Sequence, residues 1–515
     1  MNTQIWIVDF GSQYTQLIAR KTRELGYSSK IYTFDQAEKL IDEGHSPQSL
    51  VLSGGPQSIF EDDSDFSKFF RNEKLPILGI CYGMQIISNF FNGTVEKGVL
   101  GEYGKTKVSM LNNSIIDSPE KFNVWMSHFD HVTKVPEKFE ILIKSEHDLI
   151  AGINSIDRPI WGLQFHPEVE HTEFGKELLQ RFFSDVAKMT PEWNENTMLE
   201  EATSIVKQSI GKYVLCAFSG GVDSLVAASI ADKIIGDKLY CIFVDNGLLR
   251  PQDYNHIKVL QNETKLNIEI INAKDIFLNK LDGIDDPEEK RKIIGKTFID
   301  VFENKVHELE DNNKIKFSYL LQGTLYPDVI ESISPHKDGG KSVTIKSHHN
   351  VGGLPENLKL ELLEPLRYFF KDEVRVIGEQ IGLKYSWVHR HPFPGPGLGV
   401  RILGSVTELA IKCVGKSDQI LFEELNNFHL YQSTWQAFTV FLPIKTVGVK
   451  GDGRAYEHVI CLRLVNSVDG MTATWTDMPR EFLDKVSSRI TNEVEHITRV
   501  VYDITSKPPG TIEWE

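Results

Sequence analysis

Short apolar runs alternate with longer helix-like stretches along the first third of the chain. Ile5–Val8, Leu50–Leu52 and Leu75–Ile80 read as strands, and Tyr14–Leu25 reads as a helix. That alternation predicts a doubly wound α/β domain. The pattern breaks near Met189–Asn196, where Thr190-Pro191 stands among polar residues and predicts a linker. The rhythm then resumes. Strands are expected at Tyr213–Phe218, Leu239–Val244, Ile268–Ile271 and Tyr319–Gln322, with helices between them, giving a second doubly wound parallel sheet. Arg390–Gly399 holds too much Pro and Gly for a helix or a central strand. Beyond it, Val447–Val449 and Val459–Val465 read as strands and Glu481–Val501 as one long helix, which together predict a smaller α+β unit. The expected domains are therefore 1–190, 191–390 and 391–515.

Composition narrows this picture without changing it. A chain of 515 residues is too long for a single core, and about three domains are expected at the usual size. With 41% hydrophobic and 25% charged residues, the balance is that of a soluble enzyme. The formal net charge of -16 disfavours broad contact with nucleic-acid phosphates. No run of about 18 apolar residues occurs, so neither a membrane-spanning helix nor a membrane partner is expected. Met1–Phe10 lacks the basic and apolar regions of a secretory signal. Five scattered cysteines (Cys81, Cys216, Cys241, Cys413, Cys461) fit neither a disulfide framework nor a CxxC metal site. A cytoplasmic protein is expected.

The most informative chemistry lies at Ser219-Gly220-Gly221-Val222-Asp223-Ser224, between a predicted strand and the helical Leu225–Ile235. A strand, a glycine turn and a helix place backbone N–H groups and a helix N-terminus around an anion. Gly220 and Gly221 leave room for phosphate oxygens, and Ser219 and Ser224 can donate hydroxyl hydrogen bonds. Asp223 would repel a bare phosphate but suits a Mg²⁺ ion held between it and the phosphates. A Walker loop would need a lysine before its Ser/Thr, and none is present. The loop resembles the pyrophosphate loop of N-type ATP pyrophosphatases, which cleave ATP to AMP and pyrophosphate. A cation must then come from elsewhere, and Lys371 is the first candidate; a charged helix start on the surface is the alternative. Asp245, at the end of the next strand, either contacts adenosine or caps its own loop. Lys341–Pro355 is polar and glycine-rich, a candidate mobile lid. His348 and His349 diverge as neighbours and have no evident third ligand, so zinc is not expected.

A second constellation lies upstream. Gly79-Ile80-Cys81-Tyr82-Gly83 has the layout of a nucleophile elbow, with small residues beside a cysteine at a strand-to-helix turn. The helix N-terminus after it favours the thiolate. Downstream, a strand at Trp161–Phe165 ends in His166-Pro167-Glu168, supplying a general base and a carboxylate to orient it. Leu52-Ser53-Gly54-Gly55-Pro56 is a strand ending in glycines; the N–H groups of Gly55 and Tyr82 could face an oxyanion. Together these motifs resemble the class I glutamine amidotransferases over roughly residues 3 to 188. The resemblance implies attack by Cys81 on the glutamine side-chain amide, a γ-glutamyl thioester and free ammonia. It places Gln85, and with it the loop Ser127–Asp130, where that family holds glutamine.

Further motifs extend the resemblance to nearly the whole chain. They are the Gly323–Ser332 segment GTLYPDVIES, HHNVGGLP at His348–Pro355, HPFPGPGLG at His391–Gly399, Lys450-Gly451-Asp452-Gly453-Arg454, and the terminal Lys507–Glu515 stretch KPPGTIEWE. With the pyrophosphate loop they are similar to the glutamine-hydrolysing GMP synthetases. That resemblance implies that XMP is adenylated at O2 by ATP with Mg²⁺, and that ammonia then displaces AMP. It implies a homodimer through the C-terminal third, which also builds the XMP pocket. By carry-over, Arg291, Pro394, Gly395, Pro396, Gly397, Leu398, Lys507 and Glu513 would contact XMP. No flavin or NAD is expected as a cofactor. Another glutamine-dependent synthetase with the same loop, such as one making NAD, is the alternative; the triad type and the tail argue against it.

Overall fold

The computed structural model describes residues 3–62, 64–98, 101–111, 119–333, 360–450, 453–467 and 472–515. The candidate lid Lys341–Pro355 and the pair His348–His349 lie outside the described residues. Two compact units divide the chain, Met1–Met198 and Leu199–Glu515.

The first unit is built on a nine-stranded sheet. Five strands form its parallel half, in the order Ser29–Thr33, Ile5–Asp9, Ser49–Leu52, Ile77–Ile80 and Ile160–Leu163. Ile5–Val8, Ser49–Leu52, Ile77–Ile80 and Ile160–Leu163 are buried throughout, as expected where a parallel sheet is covered on both faces. The other half is antiparallel and runs through Ile150–Ser155, Phe139–Ser145, Glu102–Met110 and Lys121–His128. The expected linker is tied to this unit. The N–H groups of Glu192 and Trp193 donate to the carbonyl of Gly26, Gln4 Nε2 donates to that of Thr190, and Trp193 is buried beneath Arg23. The next helix begins at Glu195.

The second unit opens with a five-stranded, fully parallel sheet. Its order is Ile268–Asn272, Leu239–Asp245, Tyr213–Ala217, Phe317–Leu321 and Glu361–Leu363. From Tyr213–Ala217 the chain moves outward one way through the next two strands. The long helix Pro287–Asn313 then returns it to the opposite side. The order therefore reverses between Tyr213–Ala217 and Phe317–Leu321, and the crevice at their carboxyl ends is where such sheets take ligands. The remainder is β-rich: Gln436–Lys450 and Gly453–Asn466 form a long antiparallel hairpin, backed by the helices Glu408–Asn427 and Arg480–Glu493.

Two sequence expectations are corrected here. Glu481–Val501 is not a single helix. The helix ends at Glu493, His496 takes a positive φ of 67°, and Ile497–Tyr502 forms a strand parallel to Gly453–Asn466. Ile497, Thr498, Val500 and Val501 are β-branched and fit a half-buried pleated surface better than a helix. The expected strand Trp161–Phe165 stops at Leu163, because Gln164 turns to donate its N–H to Ala151.

Candidate active sites

Cys81 sits at the end of the buried strand Ile77–Ile80, with φ 54° and ψ -105°. A non-glycine residue rarely holds such a conformation, so the surroundings must impose it. Its N–H donates to the Leu163 carbonyl at 2.7 Å. The flanking glycines are required by contact. A Cβ on Gly79 would lie 2.5 Å from the Gly83 oxygen, and one on Gly83 would lie 2.3 Å from that of Leu52. The helix Tyr82–Phe90 starts directly after the cysteine. Gly83 donates its N–H to Ser53, and Met84 and Gln85 donate theirs to Cys81. The Tyr82 N–H stands at the first helical position, where no intrahelical acceptor exists.

His166 is buried against this sulfur. Burial opposes its charge, but Glu168 and the contact with Cys81 overcome that and push the ring up to about 10. Its Nδ1 meets Glu168 Oε1 at 2.7 Å. Gly54 leaves the room for this meeting: a Cβ there would sit 3.1 Å from His166 Cε1 and 3.5 Å from Cys81 Cβ. The structure thus brings Cys81, His166 and Glu168 together, and Gly55, Tyr82 and Gln85 line the same cavity of about 560 Å³. Gln85 Nε2 donates to the Asp130 carbonyl at 2.8 Å and so holds the loop Ser127–Asp130 as a wall of the cavity.

Three residues near this centre carry no local motif. Gln164 Nε2 points to Cys81 Sγ at 3.7 Å; it stands just past the strand Ile160–Leu163, where strand alternation no longer applies. Tyr14 packs its ring edge on His166 and accepts a hydrogen bond from Trp125 Nε1. Asp62 accepts from the Tyr82 hydroxyl at 2.6 Å. Neither of the last two has a nearby sequence signal.

In the second unit, Ser219–Ser224 forms the turn between Tyr213–Ala217 and the helix Val222–Ile235. Ser219 Oγ and Ser224 Oγ are 3.1 Å apart, and Ser219 Oγ accepts from the Gly221 N–H. Gly323 presses against the loop from the neighbouring strand end. A Cβ there would meet Asp223 C at 2.7 Å and Ser224 N at 2.8 Å, so the two backbones touch. Lys371 is the first residue of the helix Lys371–Gln380, and its Nζ lies 3.7 Å from Asp223 Oδ2. Lys371 thus reaches the Asp223 carboxylate, and it is also a partly exposed helix start, as the alternative has it. Asp245 Oδ1 accepts from the Gly247 N–H, so in this structure it caps its own loop. Among the described residues no group of three or more His, Cys, Asp or Glu is arranged to hold a metal alone. A single carboxylate beside a phosphate-sized turn does suit Mg²⁺, which usually takes one or two carboxylates together with substrate phosphates.

The C-terminal tail is bound down by basic side chains. Lys290 is fully buried, donating to the Ile402 carbonyl at 2.7 Å and to Glu515 Oε2 at 2.5 Å. Arg291 donates to the Glu515 backbone. Arg401, also buried, makes a two-pronged contact with Glu513, whose carboxylate accepts from Gln436 as well. Arg463 reaches the carbonyls of Thr505, Thr511 and Ile512. Glu513, expected to contact XMP, is therefore already paired with Arg401. The turn Pro394–Gly397 leads into the short helix Gly397–Arg401, where Leu398 donates its N–H to Leu248. Lys507 pairs its backbone with Ala473.

These geometries agree with sequence relationships. Residues 6–186 match the glutamine amidotransferase class-I family, the class that the fold and site of the first unit define. Residues 423–514 match the GMP synthase C terminal domain. The GMP synthase (glutamine-hydrolyzing) of Thermosipho melanesiensis is 50% identical over 514 residues, 99% of each chain. That of Thermosipho africanus is 50% identical over 520 residues, 100% of each chain. That of Chlorobaculum tepidum is 48% identical over 525 residues, 99% of this chain and 98% of its own. The chain belongs to the family of glutamine-hydrolysing GMP synthases and is an enzyme of that kind.

Proposed function

We propose that the chain makes GMP from XMP, ATP and glutamine through two half-reactions. In the first, Cys81 attacks the side-chain carbonyl carbon of glutamine. The N–H groups of Gly55 and Tyr82 stabilise the oxyanion. His166, oriented by Glu168, gives a proton to the departing nitrogen, which leaves as ammonia. Water then opens the γ-glutamyl thioester to glutamate and returns the thiol. In the second, O2 of XMP attacks the α-phosphorus of ATP and pyrophosphate departs; ammonia then displaces AMP from C2.

In this reading the segments are a glutaminase domain (1–190), an ATP pyrophosphatase domain (191–390) and an XMP-binding, dimer-forming domain (391–515). Ser219–Ser224 cradles the pyrophosphate, and Lys371 neutralises charge developing on it. Mg²⁺, held by Asp223 and the phosphates, supplies further charge neutralisation when bound. Asp245, once its loop opens, is available to adenosine. Arg291, Pro394–Leu398 and Lys507 receive XMP. Glu513 acts there through Arg401 or exchanges that contact for the nucleotide. The enzyme works in the cytoplasm as a homodimer.

The observation that carries the reading is the presence, in one chain, of the buried Cys81–His166–Glu168 group and the glycine loop beneath Lys371. Replacing Asp223 by Asn keeps its shape and removes its charge. XMP-dependent AMP release should then fall at least about a hundredfold with glutamine or ammonium as nitrogen source, a loss of ~2.7 kcal/mol. Glutamine hydrolysis should persist. Normal AMP release would return Asp223 to a purely structural role.

A further inference from the structure

The wall of the Cys81 cavity at Ser127–Asp130 is held by a chain of hydrogen bonds that runs back to Glu102, a residue that no motif identified. Asp130 is gripped three times. Ser58 Oγ donates to its carboxylate at 2.6 Å, and its carbonyl accepts from Gln85 Nε2 at 2.8 Å and from His128 Nδ1 at 3.1 Å. The other ring nitrogen, His128 Nε2, meets Glu102 Oε2 at 3.0 Å. The second oxygen, Glu102 Oε1, meets Nδ1 of the exposed His147 at 2.7 Å.

The roles in this chain follow from the atoms. A carbonyl can only accept, so His128 donates at Nδ1. Burial raises the Glu102 carboxyl, but the bonds from His128, His147 and Ser145 outweigh it and hold it at about 2. The side chains of Glu102 and His128 are only 4% and 2% exposed, leaving little water to replace either bond. A flipped ring would set C–H groups against both acceptors. The same loop touches the nucleophile, since Cys81 Sγ donates to the Ser127 carbonyl at 3.7 Å.

We propose that Glu102 and His128 are a positioning pair for glutamine capture: Glu102, at the start of the strand Glu102–Met110, holds His128, at the end of Lys121–His128, and together they fix the Asp130 carbonyl and with it the pocket wall facing Cys81. Neither touches the reacting atoms; both act through the backbone of the Ser127–Asp130 loop. The proposal rests on the reading of this cavity as the glutamine site.

The test is steady-state kinetics of the full-length enzyme with glutamine and, separately, with ammonium. Glu102→Ala should raise the KM for glutamine at least about tenfold, because a wall displaced by a fraction of an ångström no longer presents its groups in register. Ammonium-dependent GMP formation should be retained. Glu102→Gln, which keeps one acceptor for His128, should recover most of the lost affinity. An unchanged KM for glutamine in a Glu102→Ala enzyme that still uses ammonium would overturn the proposal. If Glu102→Ala loses both activities, His128→Gln carries the same test, and a normal KM there overturns it equally. Failure of the underlying reading shows differently: Cys81→Ala would then still hydrolyse glutamine.

Discussion

His166 holds its proton where burial alone would remove it, because Glu168 and Cys81 supply the compensation. A ring raised from 6.5 to about 10 in the folded protein stabilises the fold fully below pH 6.5. That contribution is lost progressively as pH climbs toward and through 10. The prediction is a difference. Wild type should exceed His166→Gln in thermal unfolding temperature at pH 7, and the gap should narrow by pH 10.5. A gap independent of pH between those values would mean that the ring is not held protonated by its neighbours. At this scale the triad was legible because each member sits in a short string with its own geometry: glycines around Cys81, and a strand ending in His-Pro-Glu. Gln164, Tyr14, Glu102 and Asp62 were not singled out. Tyr14 and Glu102 meet partners more than 20 residues away, and nothing in the neighbouring sequence marks them.

The two glycine-rich turns depend on neighbouring strand ends as much as on their own residues. Gly323, at the end of Phe317–Leu321, lies against the backbone of Asp223 and Ser224. A methyl group there cannot be relieved by a rotamer change, since it meets main-chain atoms. Gly323→Ala should therefore displace the loop and lower kcat/KM for ATP by about tenfold or more, ~1.4 kcal/mol in the barrier, while glutamine hydrolysis stays near wild type. An unaltered kcat/KM for ATP would show that the loop tolerates the shift. Element types were largely readable from hydrophobic pattern, including the strands flanking both turns. The pattern misled at Glu481–Val501, where a helix and a β-branched strand abut with no Gly or Pro between them; the break is a positive φ at His496. The antiparallel half of the first sheet also escaped, because its strands pair through registers that local periodicity does not encode. The tail Lys507–Glu515 was expected to bring Lys507 and Glu513 to the XMP pocket. Lys290, Arg401 and Arg463, all buried, are what hold it.

Across the whole chain, one polypeptide carries two candidate sites in two compact units, Met1–Met198 with the cysteine centre and Leu199–Glu515 with the glycine loop. Among the described residues no helix is long and apolar enough to cross a membrane. In the proposed reaction ammonia is the only species that one site hands to the other, so the two half-reactions can be separated by supplying it. The most direct test is Cys81→Ala assayed for GMP formation from XMP and ATP with each nitrogen source. The account predicts that glutamine-dependent synthesis falls at least about a thousandfold, while synthesis from high ammonium stays within about twofold of wild type because the second site is untouched. Loss of both activities, or survival of the glutamine-dependent one, would contradict it.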